Sequence, residues 1–373
     1  MKGNAVKLGE LLEVQNGFAF KKEFFSDAEG KPLIRIRDID KGSTEAFYVG
    51  EYREEFLVHE GDYLIGMDGA FTCRKWTGPE ALLNQRVCRL RNFSARVLPE
   101  YVFFGIQPAL TAIEGTTSFV TVKHISGKQI LDIELPLPDI HEQQRIVDIL
   151  SRAEGIVRLR GEAQQKAAEL IPAIFLEIFG DPATNSKHWP KVKLGDYLTI
   201  ESAIKTPDPI SDASLPCIGA DSIESGSGKT VSWPTVEQIK PISGKHHFEK
   251  NDVLYSKIRP ALRKAIVAPE SGYCSADMYP LRSKKQIATP EFVATLLLSR
   301  AFTEYAIGVS ARAQMPKVNR ETLFAYEHPM PPVTLQEAFA NRMQDVNSIQ
   351  RQQETALAKS EVLFASLLGK SFS

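Results

Sequence analysis

Leu135-Pro136-Leu137-Pro138 runs into Glu142-Gln143-Gln144, and His328-Pro329-Met330-Pro331 runs into Leu335-Gln336-Glu337. The second stretch follows the first at an offset of 329 − 136 = 193. A long helical pattern follows each copy and keeps that offset. The chain is therefore written twice, and the rest of the sequence can be aligned outward from this element. Lys7-Leu8-Gly9-Glu10 matches Lys193-Leu194-Gly195-Asp196 at 186. Gly61-Asp62-Tyr63-Leu64 matches Asn251-Asp252-Val253-Leu254 at 190, and Pro99-Glu100-Tyr101-Val102 matches Pro290-Glu291-Phe292-Val293 at 191. From Gly115 and Gly308 onward the offset stays at 193. Insertions thus sit early in each repeat. Variable loops on a constant frame suit recognition.

Each repeat divides in two. Residues 1–139 and 186–332 mix short strand-like runs, such as Leu33-Ile34-Arg35-Ile36-Arg37 and Asp252-Val253-Leu254-Tyr255, with turn residues and shorter helical patterns. They read as two similar α/β globules. Residues 140–185 and 333–373 carry no strand signal and read as long helices. The expected fold class is α+β, an internal pseudo-twofold repeat whose two long helices form an antiparallel coiled coil. In the first helix Ile146, Ile149, Ala153, Ile156, Arg160, Ala163, Ala167, Leu170 and Ile174 alternate spacings of three and four, a heptad seam. Adding 193 from Ala153 onward gives Val346, Ile349, Gln353, Ala356, Ser360, Leu363 and Leu367. Small residues in mid-seam favour close approach. Pro172, Gly155 and Gly161 predict a kink or loosening in the first helix only.

Composition excludes several classes. The chain has 373 residues, 43% of them hydrophobic and 24% charged, with a formal charge of −1. These are the proportions of an ordinary globular protein. No global basic signature marks a nucleic-acid binder, but phosphate affinity depends on local patches. Cys73, Cys88, Cys217 and Cys274 form no CxxC pair and have no His at zinc spacing, so reduced thiols in a cytoplasmic protein are expected. No export signal is read at the N-terminus, and no apolar run approaches the ~20 residues of a membrane helix. Neither an HExxH pair nor a GxSxG elbow occurs. Ser225-Gly226-Ser227-Gly228-Lys229-Thr230 resembles a phosphate loop, but Ile223 stands where its first Gly belongs, and the segment reads as a polar turn. No metal site and no cofactor loop is expected.

The positive signals are basic clusters at matching places in both repeats. In the first lie Arg74, Lys75, Gln85, Arg86, Lys123 and His124, with Arg35, Arg37 and Asp68 on neighbouring strand-like runs. In the second lie Ser256, Lys257, Arg259, Arg263, Lys264, Arg312, Gln314, Lys317, Asn319 and Arg320. Arg and Lys suit guanine edges and phosphates, while Asn and Gln suit adenine. A solvated basic face is the plainer reading of any one cluster.

The run Leu135–Val147, together with Gly61–Gly69 and Asp252–Pro260, resembles the DNA-specificity (S) subunits of Type I restriction–modification systems. The resemblance covers nearly the whole chain in the order domain, helix, domain, helix. Gln336-Glu337-Ala338 departs from the Gln-Gln-Arg of the first copy, which puts identical partner contacts by the two halves in doubt. The resemblance implies a subunit without catalysis of its own. Two target recognition domains, 1–139 and 186–332, would each read half of a split double-stranded DNA target. The helices would set the half-site spacing and dock two modification subunits, which would carry S-adenosylmethionine. Restriction subunits would join for cleavage, and no membrane is involved. A helix of about 25 residues spans ~38 Å at ~1.5 Å per residue, close to the ~34–36 Å of one DNA turn. The alternative is a coiled-coil scaffold whose globules bind protein.

Overall fold

The computed structural model describes residues 4–116, 123–202, 204–284, 287–310 and 316–372. It forms two compact units: Met1–Arg160 with Ala356–Ser373, and Gly161–Thr355. Each unit therefore contains one globule and a stretch of both long helices, and neither helix stands as a domain of its own.

In the first unit Ala5–Lys7 pairs antiparallel with Glu134–Pro136 beside the start of the long helix. A four-stranded antiparallel sheet follows the order Glu13–Asn16, Val87–Arg91, Tyr63–Gly66, Cys73–Lys75. Its central strand is buried along its length, and successive side chains of a strand point to opposite faces. Tyr63 and Ile65 therefore join one core with Leu8, Cys88, Tyr101 and Leu110. Leu64 joins a second core with Leu33, Trp76 and Val87, under a five-stranded sheet.

The second unit repeats this plan. Lys191–Lys193 pairs with Glu327–Pro329. Leu198–Thr199, Met278–Ser283, Val253–Ser256 and Ala265–Val267 form a sheet of the same order. Val253 and Tyr255 face one core and Leu254 the other. The chain is thus an α+β internal repeat.

The long helices run Ile140–Phe179 and Val333–Phe372, 40 residues each. Gln143 and Gln336, the shared residues of the proline–glutamine element, explain why that element recurs. Both are completely buried. Gln143 accepts from Leu98 N at 2.9 Å and donates to the carbonyls of Arg96 and Pro138. Gln336 accepts from Thr289 N at 2.9 Å and donates to Ile287 and Pro331. Each amide seals a helix start onto its own globule. Pro172 lies within the first helix, which continues to Phe179. Both Pro172 and Ala168, whose carbonyl loses its partner, are exposed, so water can satisfy that group.

Within each unit the helix segments run antiparallel. In the second, Phe175 and Phe179 meet Phe339, and Gln350 donates to Ala167 O at 2.6 Å. In the first, Arg160 donates to Ala356 O at 2.5 Å, while Ile146, Val147 and Leu150 share a core with Phe364, Leu367, Leu368 and Phe372. The inward residues correct the seam expected from sequence. Ile146, Ala153, Arg160, Ala167 and Ile174 do face inward, but the alternate positions are Leu150, Val157, Gln164 and Ile171. Ile149, Ile156, Ala163 and Leu170 are exposed. In the second helix Val346, Gln353, Ser360 and Leu367 face inward with Met343, Gln350, Leu357 and Phe364 between them, whereas Ile349 and Leu363 are exposed and Ala356 is half-buried. The corrected seam still obeys the offset of 193: 343 − 150 = 193 and 364 − 171 = 193.

Candidate nucleic-acid interface

In each unit the loop after the central strand is stitched to the segment ahead of a short helix. In the first, Gly69 N donates to Lys123 O at 3.0 Å and Ile125 N to Met67 O at 2.9 Å. In the second, Arg259 N donates to Pro316 O at 2.9 Å and Val318 N to Lys257 O at 2.9 Å. The bridges Asp68–His124 and Ile258–Lys317 lie between these bonds. The short helices Gly127–Leu131 and Arg320–Phe324 are capped by Ser126 and Asn319, which fixes the segment leading into each. The offsets, 190 on the loop and 193 on the segment, are those of the repeat.

The first junction gathers Asp68, Arg86 and His124. His124 Nδ1 donates to Asp68 Oδ1 at 2.6 Å, and Arg86 Nε lies 3.5 Å from Asp68 Oδ2. Arg86 sits on a turn with φ +74 and its carbonyl accepts from Met67 N, which holds it against the loop. The Arg86 and His124 side chains are about half exposed (56% and 43%), so both reach solvent beside the carboxylate. Gln85, exposed, precedes Arg86 on the same turn.

The second junction is more basic. Arg259 and Arg263 are exposed, each at φ +48, on either side of the turn Pro260–Leu262. Lys317 is exposed beside them. Lys257 turns inward: its Nζ donates to Ala276 O and lies 4.9 Å from the Tyr279 ring centre. Burial, reinforced by the Lys317 charge, lowers its pKa. Lys264 donates to Ala220 O at 2.6 Å. Two clefts of about 340 Å³ flank the loop, one bounded by Arg259, Leu262 and Ile307, the other by Ser256, Arg259, Lys264 and Asp277.

Several residues read from sequence as DNA contacts have partners within their own unit. Burial opposes the Asp38 carboxylate, but hydrogen bonds from Arg35 and Thr44 bring its pKa below the ordinary value, so Arg35 serves the turn Ile36–Asp38. Arg37 is exposed on that turn. Arg74 pairs with Asp40 at 2.8 Å, and Lys75 lies between Glu100 and the Tyr63 ring. Lys123 donates to Glu114 O at 2.9 Å. Ser256 is buried and donates to Ile258 O, Asn319 is a helix cap, and Arg320 lies over Phe324. Arg312 and Gln314 lie outside the described residues. Spacing along the chain misses the partners of Arg74 and Lys75 because Asp40 and Glu100 come from other segments. The match of Gly69 with Arg259 follows the repeat offset of 190, and the shared hydrogen bonds give it its meaning.

The phosphate-loop lookalike is a hairpin: Glu224 N donates to Lys229 O, and Gly226 and Gly228 take φ +74 and +72. Gly226 N bonds Arg263 O, so this hairpin buttresses the second junction. Among the described residues no group of three His, Cys, Asp or Glu side chains is placed to hold a metal ion. All four cysteines are buried, and burial pushes the Cys88 thiol up to about 12. No single helix among the described residues is long and apolar enough to cross a membrane.

Comparison with known proteins yields one family. The profile of the Type I restriction modification DNA specificity domain matches residues 2–168 and 186–359. The chain is 27% identical to the Type I restriction enzyme EcoBI specificity subunit of Escherichia coli, over 98% of this chain and 85% of that one. It is 26% identical to the EcoDI specificity subunit of the same organism, over 98% and 87%. In structure it resembles the Type I restriction-modification S subunit from M. genitalium, with a TM-score of 0.60 at 12% identity over 99% and 96% of the chains.

Proposed function

The chain belongs to the Type I restriction modification DNA specificity family, and from that premise we propose that each globule reads one half of a bipartite duplex target through its stitched junction. The observation that carries this reading is the recurrence of one hydrogen-bonded junction in two units whose surface residues differ. A common frame with different side chains is what reading two different half-sites requires. In the first globule Arg86 offers donors to acceptor edges and phosphates and His124 presents its Nε2 edge, with Asp68 orienting both. In the second, Arg259, Arg263 and Lys317 do so. The chain performs no chemistry of its own. Two modification subunits, carrying S-adenosylmethionine, dock on the long helices, and restriction subunits join that complex. Exposed apolar residues on the helices, Ile149, Ile156 and Leu363 in the first unit and Leu170 and Ile349 in the second, supply surface for such docking in each unit. The protein works in the cytoplasm, where its DNA lies.

The helices are proposed to set the half-site spacing. Four residues inserted after Ala163 and after its counterpart Ala356 add ~6 Å of helix while keeping the seam close to register. At ~3.4 Å per base pair, the spacer of the target should lengthen by about one or two base pairs. Mapping methylated bases in cells carrying the insertion reads this directly, and an unchanged spacer would remove the ruler role. Binding of the assembled complex to duplex DNA across a salt series separates DNA reading from a protein-binding scaffold, since phosphate contacts give a steep slope.

A further inference from the structure

Phe18 is a large apolar side chain left 42% exposed, and the junction described above makes no use of it. Its position is set by the backbone. Phe18 N donates to Leu83 O at 2.9 Å, Gln85 N donates to Phe18 O at 2.8 Å, and Gly17 N donates to Val87 O at 2.9 Å. Phe18 thus rides on the turn that presents Gln85 and Arg86. The approach is too close for any side chain at Gly17, where a Cβ would meet Asn84 O at 2.0 Å. The ring is held as well as the backbone. Its centre lies 5.2 Å from that of Phe20 and 5.1 Å from that of Phe56. The Arg53 guanidinium lies 5.4 Å from the Phe18 ring centre and 4.8 Å from that of Phe56. Arg53 in turn pairs with Glu55 at 2.8 Å.

A rigid, exposed ring beside a DNA-reading turn has a natural counterpart. The apolar feature of the major groove is the thymine 5-methyl group. We propose that Phe18 contacts the methyl group of a thymine in the first half-site, with Arg53 as the positioning residue that pins the ring. This deepens the reading of the first globule as a half-site reader and rests on it. Duplex DNA is the occupant because the ring is continuous with the Gln85–Arg86 turn and the Arg53 guanidinium lies over it.

The test uses the specificity subunit assembled with its modification subunits, and a duplex whose target has been read from modified bases in the genome. In a second duplex every thymine of the first half-site is replaced by deoxyuridine, which lacks only the methyl group. The wild-type complex should bind the second duplex about fourfold more weakly, the value of one buried methyl group. Phe18→Ala should bind both duplexes alike, at about the weaker affinity. Phe18→Leu keeps apolar bulk and should retain part of the discrimination; it also serves if the alanine variant does not fold. Equal binding of both duplexes by the wild type, or discrimination that survives in Phe18→Ala, overturns the proposal. A first half-site without any A·T pair does the same, as does loss of subunit assembly in Phe18→Ala before DNA is added. Arg86→Ala in the same assay separates the two levels. If it weakens binding while Phe18→Ala does not, only the role of Phe18 falls; if neither does, the reading of the first globule falls too.

Discussion

Gly69 and Arg259 hold the same place in the two globules. Both donate their N–H to the segment ahead of the short helix, and both have positive φ, +79 and +48. Glycine takes that conformation freely, whereas an arginine there costs roughly 1–2 kcal/mol. A strained residue with an exposed side chain points to a use for that side chain. The difference teaches how the repeat is employed. The hydrogen-bonded frame is common, and the exposed side chains are exchanged on top of it. In the first globule a carboxylate organises a histidine and an arginine, while in the second arginines stand on the turn itself.

The largest effect expected concerns the frame. Leu150 is completely buried in the first core, while Ile149 beside it is 38% exposed. Leu150→Ala should cost about 2–5 kcal/mol of stability and Ile149→Ala under about 1. The counterpart of Leu150 is Met343, which is half-buried, so Met343→Ala should cost less than Leu150→Ala. Denaturant unfolding of the three variants measures this. Equal losses at 149 and 150 would restore the seam read from sequence.

The next effect separates the globules by acid. His328 is buried, donates from Nδ1 to Pro329 O at 2.8 Å, and accepts at Nε2 from the Tyr197 hydroxyl at 2.9 Å. Its counterpart in the first globule is Leu135, and that of Tyr197 is Leu11 (328 − 193 = 135; 197 − 186 = 11). Burial lowers the His328 pKa to about 4. The unfolded chain, with an ordinary histidine near 6.5, takes up the proton first as pH falls. The second globule is therefore fully stabilised above about pH 6.5 and loses up to about 3 kcal/mol as pH drops toward 4. Hydrogen exchange resolved by globule at pH 7 and pH 5 should show the second loosening more than the first. The double variant Tyr197→Leu, His328→Leu should narrow that gap. A gap of the same size in the variant would place the acid sensitivity elsewhere.

Much of this was legible in the chain because identity marked it. The prolines at 136 and 329 and the glutamines at 143 and 336 recur where each helix is sealed to its globule, and a residue making three buried hydrogen bonds tolerates little change. The seam was half legible for a physical reason. The first helix carries two adjacent apolar stripes, Ile149, Ile156 and Leu170 on one and Leu150, Val157 and Ile171 on the other. Both satisfy the same alternation of three and four, and the stripe turned inward includes the polar Gln164. Only packing distinguishes them. The basic clusters were legible as clusters, but the partners of their members were not all legible. Arg35 and Arg74 spend their charge on Asp38 and Asp40, and no spacing rule locates the second of these. The match of Gly69 with Arg259 leaves no trace in residue identity.

That match can be inverted by exchange. Arg259→Gly removes the side chain and its strain together. Relief of roughly 1–2 kcal/mol is offset by the greater freedom glycine gives the unfolded chain, so stability should stay within about 1 kcal/mol. Binding of the second half-site should nevertheless fall by about 1–3 kcal/mol if the guanidinium reads a base edge. Arg259→Ala keeps the strained backbone and should lose the same binding. Lost binding on every sequence alike would make Arg259 a phosphate contact. The reverse exchange, Gly69→Arg, has room, since nothing lies within 4 Å of a Cβ at that position. It should cost the first globule roughly 1–2 kcal/mol, the left-handed penalty alone. It should also change the base pair preferred in the first half-site while the second stays as it was. Sequencing of methylated sites in cells carrying each variant reads both halves of the target at once. A first half-site unchanged by Gly69→Arg, with a second unchanged by Arg259→Gly, would show that this turn faces away from the DNA.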